Sequence, residues 1–524
     1  MNQSFTATSP ISRRLSPRKM AFLTGALLLT STGFICRILG FFYRIFMSRT
    51  IGAEGLGIYN MVHPIFSICF ALCAGSIQTA LSQYVAANQS RGKTVFRTGL
   101  VIAMGISFLL AWLICGNTEF LAQRFLLEPR CAPFLPVMAV SVPFAALHAC
   151  INGYYYGMQK ARVPAFSQVA EQVIRMGAVF LIAGIWLESG REITVSLAVY
   201  GHLIGEMASA GFTLFCLGFF PPGKGRETAA GQGPAPEPLP LAFRSAAAPL
   251  MALALPLMGN RLILNVLGSA EAIWIPNRLM CSGLNNSQAL SVYGVLTSMA
   301  LPFILFPSAI TNSMAVLLLP TVAEAQANGN EGRISSIISM SLRYSCYMGI
   351  LCIGIFTIFG NQLGVSVFHD KDAGTFITIL SWLCPFMYLA TTMGSILNGL
   401  GRTSSTFLQT VCAMVIRLAF VLFAIPRFGI LGYLWGMLAS ELVLALMSFI
   451  AVKRLVPFKW DTMHMIVKPA LLLLVSIGMY LAFSQACTWL RMLPVFIMTA
   501  VQIGFLSICY IGLLLVFHKK RPLP

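Results

Sequence analysis

The chain has 524 residues, 57% of them hydrophobic and 10% charged, with a mean hydropathy of +0.80. Its 35 basic and 16 acidic residues give a formal charge of +19. A soluble enzyme or a disordered chain would carry far more charge, a secreted disulfide scaffold would show an even cysteine framework, and the apolar runs, about 20 residues or longer, are too long for barrel strands. Helices satisfy their own backbone inside lipid, so the sequence predicts an all-α polytopic membrane protein.

In chain order, fourteen transmembrane helices are predicted at roughly 21–47, 57–87, 95–116, 131–157, 163–187, 193–219, 244–268, 289–323, 334–360, 374–400, 404–425, 429–452, 463–485 and 491–517. The first follows Arg13, Arg14, Arg18 and Lys19, as a signal peptide would. It is longer than a signal sequence, contains two arginines and has no evident small-residue cleavage site, so it is read as a retained helix. Tyr154, Tyr155 and Tyr156 close the fourth span and are expected as an interfacial aromatic anchor. Pro302, Pro307 and Pro320 are expected to kink the eighth. Lysine and arginine outside the spans divide 20 to 8 in favour of the side holding the N-terminus. That bias places both termini in the cytoplasm and requires an even number of crossings. The positive charge is then assigned to loops facing anionic lipid, not to nucleic acid.

The expected organisation is a cytoplasmic tail (1–20), a six-helix lobe (21–219), a Pro-rich cytoplasmic linker (220–243), a second six-helix lobe (244–452), and two further helices with a basic tail (453–524). Weak matches link the lobes: Val85-Ala86 with Val322-Ala323, Gly116-Asn117 with Gly360-Asn361, Ile174-Arg175 with Ile416-Arg417, and Gly201 and Glu206 with Gly436 and Glu441. They recur in order at offsets of 237, 244, 242 and 235. An even number of spans per lobe makes this a parallel repeat, related by an axis along the membrane normal.

Fourteen cysteines lie mostly within apolar runs, without a CxxC pair, and read as small packing residues. Six histidines are scattered without metal-ligand spacing. Charges inside the spans are the informative positions, since each costs about 2.5–3.5 kcal/mol to insert. The arginines are Arg37, Arg44, Arg175, Arg261, Arg343 and Arg417; the acids are Glu171, Glu206 and Glu441. Arg343 and Lys468 lie close to helix ends and are read as snorkelling. Such an interior suits an anionic substrate. Arg37 and Arg44 are two helical turns apart on one face, as a pyrophosphate clamp requires. Arg261 is a candidate for the opposite wall. Glu171 and Arg175 are spaced to pair along one helix, and Arg417 repeats Arg175 with Ala413 in place of the acid, so its partner is open. Glu206 and Glu441 are candidates for ion coupling or helix packing. No P-loop, HExxH or GxSxG motif is present, so no catalytic centre is expected.

Arg37-Ile38-Leu39-Gly40-Phe41, with Ser48-Arg49 and Gly52-Ala53, resembles the first-helix signature of the lipid II flippases in the multidrug/oligosaccharidyl-lipid/polysaccharide exporter superfamily. Gly57 to Val62, Gly75 to Ala80, Ser167-Gln168 with Glu171-Gln172, and Met299 to Pro302 through Ala323-Glu324-Ala325 are similar to its stage V sporulation protein B branch. The resemblance covers essentially the whole chain. It implies a V-shaped pair of lobes, alternating access, and a polyprenyl-pyrophosphate-linked sugar, such as lipid II, as substrate. It adds Arg49 to Arg37, Arg44 and Arg261 as substrate-binding residues, and assigns the last two helices to the lipid tail. It departs from the flippase pattern at Tyr43-Arg44 and at Leu296. It also implies a bacterial cell membrane location and cell-wall synthesis enzymes as candidate partners. A monomer can contain the pathway. No cofactor or metal is expected; coupling to a monovalent cation, a proton or the membrane potential stays open. The competing readings are a cation-coupled multidrug exporter, and a scaffold or transferase in polysaccharide assembly.

Overall fold

A computed structural model describes residues 17–222, 243–487 and 492–518. Almost all of the expected linker lies outside the described residues, as do most of the N-terminal tail and Lys519, Lys520 and Arg521. Before the linker run α1 (Pro17–Phe70), α2 (Ser76–Ala87), α3 (Gly92–Gly116), α4 (Leu135–Gly157), α5 (Arg162–Glu188) and α6 (Ser196–Phe219). After it run α7 (Phe243–Cys281), α8 (Asn286–Gly294), α9 (Ser308–Ala327), α10 (Glu331–Leu363), α11 (Lys371–Leu380), α12 (Cys384–Gly399), α13 (Thr403–Phe423), α14 (Ile430–Leu455), α15 (Lys468–Ala486) and α16 (Val495–His518). No strand occurs among the described residues. Fourteen segments are long and apolar enough to cross a bilayer, so the chain is a multi-pass membrane protein.

The boundaries depart from the sequence reading in three places. The first two expected spans form one helical run, interrupted only at Gly52 with φ 71° and ψ 178°. At 1.5 Å per residue, 54 residues far exceed a hydrocarbon core of about 30 Å. The run therefore crosses twice, turning at Gly52, where a positive φ excludes most side chains. A π turn at Ala71–Gly75 carries it into α2. The seventh helix runs on to Cys281, beyond the expected end at 268, and so brings Glu271 into the bundle. The eighth span divides into α8, a π turn at Val295–Ala300, a short helix at Leu301–Leu305, and α9. Of the three prolines, Pro307 marks that break; Pro302 sits at the start of the short helix and Pro320 within α9.

Helix pairing follows one scheme on each side of the linker. Before it, α2 packs on α4, α3 on α4, α4 on α6, α5 on α6, and α1 on α5. After it, α9 packs on α12, α10 on α12, α12 on α14, α13 on α14, and α7 on α13. The last two helices pair with each other and rest on α10. Eight cysteines are buried and none is bonded, as packing residues would be. The tyrosine run is not an exposed belt: Tyr154 stacks on Phe96 at 4.9 Å, and the buried Tyr155 donates its hydroxyl to the Phe220 carbonyl.

The two sides meet along α1. A Cβ on Gly57 would lie 2.2 Å from the Leu290 carbonyl oxygen, and one on Gly294 would lie 1.9 Å from that of Ala53. Glycines allow this backbone approach, as they do between helices in membranes generally. The same end of the bundle, here called the Gly52 end, is held by polar contacts. Arg130 bonds Glu54 at 2.6 Å and Glu128 at 2.8 Å, and Asn286 donates to Glu128 at 2.8 Å. Arg49 donates twice to the Val367 carbonyl, at 3.0 and 2.6 Å.

Gly294→Leu is expected to cost about 1–3 kcal/mol by overpacking. It should lower the melting temperature of the purified protein; an unchanged melting curve would show the close approach to be dispensable. Burial of Glu128 opposes its ionisation, but the hydrogen bonds from Arg130 and Asn286 outweigh that and hold its pKa below the ordinary value. Its folded pKa is depressed, so its stabilising contribution is present above the unfolded value of about 4.3 and lost as pH falls through the lower folded value. The difference in melting temperature between wild type and Glu128→Gln should hold steady from about pH 8 to 5 and shrink below about 4. A difference that vanishes near neutrality would contradict this.

Candidate functional site

A cavity of about 620 Å³ opens inside the first half of the chain, bordered on one side by Asn265 and Ser298 from the second. Both arms of α1 line it, with Tyr43 and Arg44 before the Gly52 bend and Tyr59, Asn60 and His63 after it. The rest of its polar wall comes from Ser67 on α1, His148 on α4, Glu171, Gln172 and Arg175 on α5, and His202 and Glu206 on α6. Four of the charges predicted from sequence therefore meet here: Arg44, Glu171, Arg175 and Glu206.

Their pairing is specific. Arg175 bonds Glu171 one turn earlier on α5, as the spacing implied. Gly205 makes room for this guanidinium: a Cβ there would lie 2.6 Å from the Arg175 Nε. Glu206 takes up His148, whose Nε2 lies 2.8 Å from Oε2, and faces His202 Nε2 at 4.0 Å. Arg44 pairs with no carboxylate among the described residues. It donates to the Thr297 carbonyl at 3.3 Å, an oxygen within the π turn, and its side chain stays open to the cavity. Asn60 donates to the Thr297 and Ser298 hydroxyls at 2.8 and 2.7 Å. The π turn thus carries the contact between the two halves beside the cavity.

The remaining predicted residues lie elsewhere. Arg37 is exposed and does not line this cavity. Arg49 belongs to the closure at the Gly52 end. Arg261 donates to the Thr79 hydroxyl at 3.0 Å, joining α7 to α2, and a Cβ on Gly75 would lie 2.2 Å from its Nη1. Arg417 finds its partner in Glu271 on α7, at 2.9 Å, and Tyr433 bonds the same carboxylate. Glu441 lines a separate cavity of about 260 Å³ with Gln409, Thr391, Thr406, Thr410 and Ser448.

Two contributions escaped the sequence reading. The histidines looked scattered because three helices supply them, yet His63, His148 and His202 line the same cavity. The one local signal was the i, i+4 spacing of His202 and Glu206. Glu271 was missed because the seventh span was ended too early.

The chain matches the polysaccharide biosynthesis protein family over residues 22–326. That stretch contains every residue lining the larger cavity. It is 26% identical over 448 residues to stage V sporulation protein B of Bacillus subtilis (strain 168), covering 84% of this chain and 85% of the relative. It is 21% identical over 480 residues to the lipid II flippase MurJ of the same organism, covering 86% of each. Among solved structures, lipid II flippase MurJ in an inward closed conformation aligns with a TM-score of 0.71, covering 94% of this chain and 99% of that one. An inward-facing multidrug resistance MATE family transporter of the MOP superfamily aligns at 0.59, covering 83% and 97%. Both structures are 13% identical in sequence, so their likeness speaks to the fold alone. On the strength of a match spanning more than half its length, the chain belongs to the polysaccharide biosynthesis protein family.

Proposed function

We propose that the chain is a flippase carrying a polyprenyl-pyrophosphate-linked saccharide, lipid II or a related oligosaccharide lipid, from the cytoplasmic to the outer leaflet. The observation that carries this reading is the cavity of about 620 Å³ inside the bundle, lined by Arg44 and Arg175. Among the described residues Arg44 bonds one carbonyl and keeps donors free, and a guanidinium suits phosphate oxygens. A cavity of this volume falls in the range of small-molecule sites.

In this reading both termini are cytoplasmic and the Gly52 end faces outward, at a bacterial plasma membrane. The two halves form a parallel repeat, and transport is a rocking of one against the other. Outward opening parts α1 from α8 and breaks the Arg49–Val367 and Glu128–Asn286 contacts. Arg261 holds α7 to α2 and breaks at a different stage. Arg37 meets the head group on the cytoplasmic approach to the cavity. The polyprenyl tail stays in the bilayer along α15 and α16. The saccharide serves envelope polysaccharide or peptidoglycan, spore cortex included, with wall-synthesis enzymes as partners and a monomer as the working unit.

Liposomes holding the purified protein and fluorescent lipid II test this through the rate at which the lipid becomes accessible to an external reagent. Wild type should expose it faster than empty liposomes. Arg44→Ala should slow exposure by about tenfold or more, since a charge-assisted hydrogen bond contributes about 1.5–3 kcal/mol. Wild-type exposure that matches empty liposomes, with lipid II and with other lipid-linked sugars, would sink the proposal. The carboxylates in the same wall support a second reading, a cation-coupled exporter of cationic drugs. Efflux of a cationic dye that is lost in Glu171→Gln would favour that alternative.

A further inference from the structure

The cavity wall holds a group of side chains that phosphate recognition does not use. His148 Nε2 lies 2.8 Å from one Glu206 oxygen, and His202 Nε2 lies 4.0 Å from the other. The His202 ring is 6.0 Å from that of His63, whose Nδ1 is 3.1 Å from the Ser67 hydroxyl. The buried His148 Nδ1 and His202 Nε2 have no hydrogen-bond partner among the described residues. Glu206 contacts His148 from α4 and lies near His202 on its own helix, and it shares the cavity with Tyr43, Arg44, Tyr59 and His63 from α1 and with Glu171 and Arg175 from α5. A shared metal ion does not suit this spread: no three such side chains among the described residues converge to hold one.

The charge balance decides what the group can do. With neutral histidines, the Arg44 and Arg175 guanidiniums are cancelled by the Glu171 and Glu206 carboxylates. An anionic head group entering this cavity brings negative charge into a region of low dielectric, where uncompensated charge is costly. Histidine is the side chain that supplies a compensating charge near neutral pH. Resting on the flippase reading above, we infer that the His148–Glu206 pair, with His202 and His63 behind it, takes up a proton when the anionic head group binds. The proton comes from water onto the imidazole–carboxylate pair and leaves the cavity net positive by one charge. It returns to water when the head group departs. By linkage the effect is reciprocal: the proton tightens anion binding as much as the anion tightens proton binding.

The test is the affinity of the purified, detergent-solubilised full chain for undecaprenyl pyrophosphate between pH 8 and 6, with proton uptake followed by an indicator dye. Protonation of the ligand itself reduces its charge and weakens binding as pH falls. Uptake by the protein does the opposite, so the sign of the wild-type slope is informative without any variant. Affinity should rise as pH falls, by at most about tenfold per unit for one linked proton. His148→Gln and Glu206→Gln should flatten or reverse the slope and reduce uptake to the ligand's own share. A flat or falling affinity in wild type, or a slope unchanged in folded variants, overturns the proton linkage and leaves the flippase reading standing. Failure of the wild type to bind this ligand at any pH overturns the linkage and counts against the flippase reading itself.

Discussion

Charge inside a hydrocarbon slab must be answered locally, and that constraint shapes the interior of this protein. Each candidate arginine with a mapped contact meets a different answer. Arg175 takes a carboxylate on its own helix, Arg417 takes one from α7, Arg49 takes a main-chain carbonyl across the bundle, and Arg261 takes a hydroxyl. Arg44 makes a long bond to one carbonyl and, unlike Arg261, lines the larger cavity. In a membrane interior an arginine with spare donors is the natural place for an anion to land.

The two halves solve one electrostatic problem with different parts. The first places Glu171 one turn before Arg175, so that the pair is internal to α5. The second has Ala413 at the corresponding position, and the acid comes from α7 instead. Arg417 therefore ties two helices together, whereas Arg175 leaves α5 free of such a tie. The Glu206 side carries histidines and an open cavity; the Glu441 side carries hydroxyls, an amide and a smaller one. Polar chemistry is thus concentrated before the linker, and packing polarity after it.

How much of this the sequence revealed depends on the range of the signal. Helical class and the membrane-spanning character of the chain are carried by runs of apolar residues, a local property, and they were legible. So was the Glu171–Arg175 pair, set by a four-residue spacing. The reversal between the first two spans was legible too, placed between 47 and 57; that helix continues up to a single turning residue at Gly52 was not, since only the backbone angle reports it. The histidine group was invisible because α1, α4 and α6 are brought together by packing that no local pattern encodes. Glu271 was hidden by a boundary error of about four helical turns, and with it the partner of Arg417. The tyrosines of α4 misled for a related reason: an aromatic run at a helix end fits both a lipid interface and a buried corner, and only its neighbours decide.

The π turn at Val295–Ala300 has a consequence for how this region tolerates length changes. A π turn accommodates one residue more than regular α geometry and frees carbonyls from the usual i to i−4 ladder. Arg44 and Asn60 both exploit that irregularity, at Thr297 and Ser298. Deleting a single residue here would let the backbone relax into an unbroken α-helix, which is locally the more regular state. It would also close the wide turn itself, drawing the hydroxyls and carbonyl out of the positions from which they meet α1. The segment is thus a place where better local order would undo the meeting of the two halves.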